Sequence, residues 1–366
     1  MTGRRPADPG MTIAQVETPA LVVDLDAMEA NIAALAARVA AYPSVRATPH
    51  AKAHKSVEIA RRQMAAGASR VCCQNVAEVE AMAAGGIDNI LLSNEIIGAG
   101  KAKRLAQVAR TAKVGVCVDH TDQVAVLADA AREAGVTLDV LVEIDVGMRR
   151  CGVTSTADAV ALAKEVAKHK NLRFTGLQAY HGSAQHLRRP EERVAAISKA
   201  TALARETADA LRAAGLPCDV IAGAGTGSYE NEMTSGVYTE LQCGSYVFMD
   251  ADYGRNDTAY PFRNALFVLT SVISAAAPGH AVCDAGLKSL TAESGLPVTY
   301  EAPGVTYIKA TDEHGTLQLS SEATIKPGDR LKLIPGHCDP TVNLHDWLVA
   351  YRGDKVEAVW PVARGW

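Results

Sequence analysis

Residues 113–147, KVGVCVDHTDQVAVLADAAREAGVTLDVLVEIDVG, hold two apolar, β-branched runs on either side of an alanine-rich stretch with helical spacing that ends in glycine. The pattern is strand, helix, strand. Neither run alternates polar with apolar, so each is expected to be covered on both faces, as parallel strands joined by helical crossovers are.

The same unit recurs on both sides of this segment. Apolar runs stand at SVRATPHAK (44–52), SRVCCQN (69–75), NILLSNE (89–95), KVGVCVDH (113–120), LDVLVEIDVG (138–147), RFTGLQAYHG (173–182), CDVIAGAG (218–225) and YTELQCGSY (238–246), mostly with helical stretches between them. Eight such alternations predict an α/β fold of the (β/α)8 TIM-barrel type, assigned to residues 20–255. The pattern then changes. ALFVLTSVISAA (265–276), HAVCDAG (280–286), VTYIKATDEHGTLQL (305–319), DRLKLIPGH (329–337) and HDWLVAYRGDKVEAVWPV (345–362) alternate with turn signals and lack helical periodicity. They predict an antiparallel β domain over 256–366, completed by segment 1–19.

Of the 366 residues 48% are hydrophobic and 21% charged, with net charge −4, which gives no reason to expect nucleic acid or a membrane surface as partner. No apolar run is long enough to span a bilayer, and no hydrophobic leader follows the basic N-terminal residues, so a cytoplasmic protein is expected. Most of the eight cysteines lie in apolar strand-like runs and read as reduced, buried thiols.

A barrel gathers its chemistry at the C-terminal ends of its strands. The first strand ends in PHAKAHKS (49–56); if the segment stays extended, His50, Lys52 and His54 share a face and Lys55 points away. Taken alone, the cluster also reads as a solvated basic turn. EIDVGMRRCG (143–152) brings Arg149 and Arg150, and QAYHGSAQH (178–186) brings Tyr180, His181 and His186. The seventh and eighth strands end in GAGTGS (223–228) and QCGSYVFMDADYG (242–254), whose glycines let backbone amides approach an anion while Thr226, Ser228 and Ser245 add hydroxyls. Phosphate loops there, with a lysine at strand one, fit pyridoxal phosphate, whose carbonyl condenses with an amine.

At PGHCDPT (335–341) three residues offer metal ligands. If the preceding run stays extended, His337 and Asp339 face one way and Cys338 the other. The pair also reads as a hydrogen-bonded turn cap. An imidazole with a carboxylate suits a hard divalent ion such as manganese or magnesium.

These motifs, with TPALVVDLDAMEANI (18–32), DAGLKS (284–289), DEHG (312–315) and PGHCDPTVNLHDW (335–347), resemble the D-threonine aldolase and D-serine dehydratase family over about residues 17–365. The resemblance implies a fold type III pyridoxal phosphate enzyme, an alanine-racemase-like barrel followed by a β domain. It implies Lys52 as the Schiff-base lysine and Arg150 near the cofactor's phenolic oxygen. Tyr180, Thr226, Gly227, Gly244, Ser245 and Tyr253 are implied around the cofactor, His186 as base, and His337 with Asp339 as metal ligands. The expected reaction is cleavage of D-configured β-hydroxy amino acids (D-threonine, D-phenylserine or 3-hydroxyaspartate) to glycine and an aldehyde, in a homodimer. The alternatives are dehydration of D-serine or 3-hydroxyaspartate, whose branch resembles a His-x-Cys metal pair, and a non-catalytic pyridoxal phosphate carrier. Asp284 and Lys288 either complete a neighbouring subunit's site or are strand-end and turn residues. Thr48 and Ala224 depart from the residues expected in the aldolases.

Overall fold

The computed structural model describes residues 4–365. The first strand, β1 (Ala20–Asp24), falls within the range expected for the barrel but pairs elsewhere: it lies between two strands of the C-terminal domain, antiparallel to one and parallel to the other. Its composition suits either sheet. ALVV is apolar on both faces, which suits a central position in a covered sheet. The Asp24 carboxylate then accepts from Ala27 N–H at 3.1 Å and caps the helix Leu25–Ala40, which carries the chain to the barrel.

The barrel strands are β2 (Arg46–Ala47), β3 (Val71–Cys73), β4 (Asn89–Leu92), β5 (Lys113–Val118), β6 (Leu138–Glu143), β7 (Leu172–Gln178), β8 (Val220–Gly223) and β9 (Glu240–Leu241). Seven of the eight expected segments contain their strand, β7 starting one residue ahead of its segment, and the sheet is parallel throughout in the order β2-β9-β8-β7-β6-β5-β4-β3. The ring closes where Ser69 N–H donates to Ala47 O and Cys72 N–H to Pro49 O, both at 2.9 Å. Local chemistry sets the crossovers. Asn75, His120 and Ser155 each cap a helix with the side chain, and the helix begun at His120 stops at Gly135.

Inside the barrel, Cys72, Leu91, Cys117, Leu141 and Ala222 form a small apolar layer. Beside it the buried Arg70 guanidinium pairs with Glu240, joining the entrance of β3 to β9. Removing one partner strands a buried charge, so Arg70→Ala should lower unfolding free energy by about 3–5 kcal/mol, measurable by urea titration.

The second sheet contains β1 with β10 (Leu266–Ala277), β11 (His280–Cys283), β12 (Val298–Tyr300), β13 (Val305–Ala310), β14 (Gly315–Leu319), β15 (Arg330–Ile334), β16 (Trp347–Arg352) and β17 (Lys355–Pro361). It is antiparallel except between β1 and β16. Among the described residues no helix is long and apolar enough to cross a membrane, and all eight cysteines are free.

Candidate functional site

After β2 the backbone bridges to Cys72 at His50 and then makes one 3-10 turn over Ala51–Ala53. That turn breaks the expected extended face. His50 and Lys52 line the barrel mouth, whereas His54 turns into the core, its Nε2 at 3.2 Å from Gln63 Oε1, and burial lowers its pKa to about 4. His50 is likewise held well below the ordinary imidazole range, by burial and by Lys52; its Nε2 is 2.9 Å from Ser93 Oγ. Lys55 is buried against Glu78, Nζ to Oε1 at 2.5 Å.

Lys52 Nζ lies 2.5 Å from Asp339 Oδ2, joining the two expected halves of the site. Burial opposes charge on both groups, yet each holds the other ionised: the lysine is raised and the carboxyl lowered from its usual range. Two cavities meet here. One, of about 500 Å³, includes Arg150, Tyr180, Thr226, Gly244, Ser245 and Tyr253; the other, of about 800 Å³, includes Leu290, Glu293, His337 and Asp339. Lys52, Gln74 and His186 line both.

In the narrower cavity Thr226 Oγ1 is buried and has no hydrogen-bond partner among the described residues. Gly244 approaches the His50 carbonyl so closely that a Cβ would lie 3.1 Å from it, which favours glycine. Ser245 Oγ is 3.5 Å from Asp339 Oδ1. The Gly227 N–H already donates to Gln185 Oε1 at 2.8 Å. The Arg150 guanidinium carbon lies 5.6 Å from the Tyr180 ring centroid, with Nη2 3.9 Å from Glu143 Oε1. Burial and the neighbouring Glu95 raise the Glu143 carboxyl well above the usual carboxylate range.

His186 ends a 3-10 turn, Gly182–His186, with Nδ1 at 2.6 Å from Asp252 Oδ2. Asp252 is almost wholly buried; burial opposes its ionisation, but hydrogen bonds from His186, Arg188 and Arg255 overcome this and hold it well below the usual carboxylate range. The expected strand alternation at 337–339 is absent. The extended run stops at Ile334, His337 is the N-cap and Cys338–Val342 is a helical turn. Pro340 at an early helical position favours that turn. His337 Nε2 and Asp339 Oδ1 are nonetheless 3.9 Å apart, while Cys338 is fully buried with its thiol raised by burial.

Residues 23–252 match the family model described as alanine racemase, N-terminal domain, and residues 265–351 match a serine dehydratase domain model. The chain is similar to a D-threonine aldolase of Arthrobacter sp., 48% identical over 98% of this chain and 96% of that one. The chain belongs to this family of fold type III pyridoxal phosphate enzymes. Within the family it is also similar to a 3-hydroxy-D-aspartate aldolase of Paracoccus denitrificans (strain Pd 1222), 48% identical over 98% of this chain and 95% of that one. A solved D-threonine aldolase of Filomicrobium marinum superposes with a TM-score of 0.96 at 47% identity, covering 99% and 98% of the two chains. The family's cofactor fits the residues present: the partnerless Thr226 hydroxyl and the bare Gly244 backbone face the same cavity as the Lys52 amine.

Several lining residues carry no sequence signal. Gln178 and Gln242 form a reciprocal amide pair, with 2.8 and 2.9 Å bonds, and Gln185 buttresses the glycine loop. Asp252 sits in a quoted motif, but its link to His186 spans 66 residues and appears only in the fold. Asp284 is a strand-end acceptor for Thr18 and Thr270 hydroxyls, both at 2.6 Å, and exposed Lys288 pairs with Glu313. Arg149 has a positive φ of 56° and is exposed, and Arg255 is engaged by Asp252.

Proposed function

We propose that this chain is a pyridoxal phosphate- and divalent-metal-dependent aldolase, a carbon–carbon lyase that cleaves D-configured β-hydroxy amino acids to glycine and an aldehyde. The observation that carries the reading is the 2.5 Å approach of Lys52 Nζ to Asp339 Oδ2, with His186 bordering the same two cavities. An amine for a carbonyl cofactor, an acceptor for a proton and hard oxygen and nitrogen ligands thus meet at one point. When bound, pyridoxal phosphate supplies a carbonyl that condenses with amines and a ring that accepts an electron pair, and a divalent ion supplies a Lewis acid.

The chain's residues supply the rest. Lys52 offers the amine; Thr226, Gly244 and Ser245 hold the phosphate, Arg150 and Tyr180 serve the ring end, and Tyr253 and Gly227 complete the surround. Because the Gly227 N–H is taken by Gln185, its contribution is to let the loop approach closely rather than to donate. His337 and Asp339 hold the metal. One imidazole and one carboxylate suit manganese or magnesium, and a buried, protonated Cys338 argues against a soft thiolate pair. Asp252, kept ionised by two arginines, holds the proton on His186 Nδ1, so Nε2 is free to take the substrate's hydroxyl proton. The β domain exposes Ile273, Val298 and Ile308, which fits a homodimer.

His186→Ala is expected to lower kcat by about 10²–10⁴-fold while cofactor absorbance stays unchanged. Asp252→Asn should act in the same direction, because Nδ1 loses its carboxylate; steady-state kinetics with spectra of each holoenzyme check both. The deciding assay supplies manganese or magnesium with D-threonine, D-phenylserine and the 3-hydroxyaspartate diastereomers and measures aldehyde and ammonia separately. Glycine with an aldehyde is the expected result. Ammonia with an oxo acid would make the chain a dehydratase, and bound cofactor with no turnover would make it a carrier.

A further inference from the structure

We propose that Glu293 is a positioning residue that fixes which ring nitrogen of His337 faces Asp339; the inference rests on reading His337 and Asp339 as the metal-binding pair. His337 Nδ1 lies 2.7 Å from Glu293 Oε1, and His337 Nε2 lies on the other side, 3.9 Å from Asp339 Oδ1. An ionised carboxylate only accepts hydrogen bonds, so contact with Glu293 places the imidazole proton on Nδ1 and leaves the Nε2 lone pair directed at the gap beside Asp339. A metal-binding histidine needs that arrangement: one nitrogen free to bind, the other fixed by an outer oxygen.

Glu293 is half exposed, and a half-exposed side chain positions nothing unless its backbone is held. Three contacts hold it. Arg255 donates to the Ser294 carbonyl. Gly336 packs against the Gly295 carbonyl so tightly that a Cβ there would come within 2.0 Å of the oxygen. The Thr291 N–H donates to Thr341 Oγ1 at 3.3 Å, tying the loop to the helical turn that carries Asp339. The same Arg255 Nη2 lies 2.8 Å from Asp252 Oδ1, whose other oxygen holds His186. His186 and His337 are therefore both oriented by carboxylates, and one arginine joins the two supports. Glu293 stands in TAESGLP (291–297), which resembles no ligand motif; only the folded loop brings it to His337.

The test titrates Mn²⁺ into the pyridoxal phosphate-loaded enzyme and follows free Mn²⁺ by electron paramagnetic resonance in wild type, His337→Ala, Glu293→Ala and Glu293→Gln. Glu293→Ala is expected to weaken Mn²⁺ binding by about 10–100-fold, with the cofactor's visible absorbance and the metal-free thermal midpoint unchanged. Glu293→Gln keeps an oxygen for the Nδ1–H and should lose less; being isosteric, it keeps the experiment decisive should the alanine variant fold poorly. The positioning role is overturned if His337→Ala abolishes Mn²⁺ binding while both Glu293 variants bind within about twofold of wild type. A different result separates the premise: His337→Ala binding Mn²⁺ as tightly as wild type removes the metal pair itself.

Discussion

Lys52→Ala is expected to eliminate the absorbance of covalently held pyridoxal phosphate and to reduce cleavage by roughly 10³-fold or more, the scale on which losing a covalent catalytic group acts. The variant should fold. The Lys52 side chain is 38% exposed, facing the cavities, and its loss removes an ion pair rather than core packing. Lys55→Ala is the control, since Lys55 also borders the wider cavity but its amine is committed to the Glu78 carboxylate. It is expected to lose stability but keep the band. If Lys52→Ala keeps the band instead, the amine lies elsewhere and Lys55 becomes the first candidate.

Asp339→Ala should separate cofactor binding from cleavage. The carboxylate contacts Lys52, Cys338 and Ser245 but none of the glycine-loop backbone, so the cofactor band should persist. Cleavage should fall by about 10³-fold, because Lewis-acid assistance contributes several kcal/mol and each 1.4 kcal/mol is tenfold. Chelating the metal from wild-type enzyme should give the same phenotype, reversed by manganese or magnesium. Cys338→Ala should keep most activity at a cost of roughly 1 kcal/mol in stability, since the sulfur fills core space. An inactive Cys338→Ala with normal Asp339→Ala turnover would mean the thiol, not the carboxylate, is the working ligand.

The barrel was legible because most of its strands lie in short apolar runs separated by helical stretches. The place of Lys52 at the barrel mouth was legible for a related reason: it follows the first of these segments. Errors arose where local pattern gave way to context. ALVVD at 20–24 has the composition of a barrel strand, and only its long-range partners, β10 and β16, reveal its sheet. At PGHCDPT the alternation rule assumed a continuing strand, but Pro340 and the N-cap at His337 start a helical turn. His337 and Asp339 remain neighbours because an N-cap and its second helical residue also lie close in space, so the pairing survived a faulty premise. Asp252 and Glu293 were invisible in their roles, since each acts on a histidine dozens of residues away. Sequence spacing carries no trace of such support.

The position of β1 also sets an order of assembly. It is synthesised before the barrel, yet both of its hydrogen-bonding neighbours follow more than two hundred residues later. Until β10 and β16 arrive, its apolar edges are unpaired, so the barrel must close around a chain whose leading segment is still unsatisfied. Ending the polypeptide after residue 255 would therefore not free a self-sufficient barrel. It would leave β1 without its two partner strands in every copy, and self-association through that strand is the expected fate.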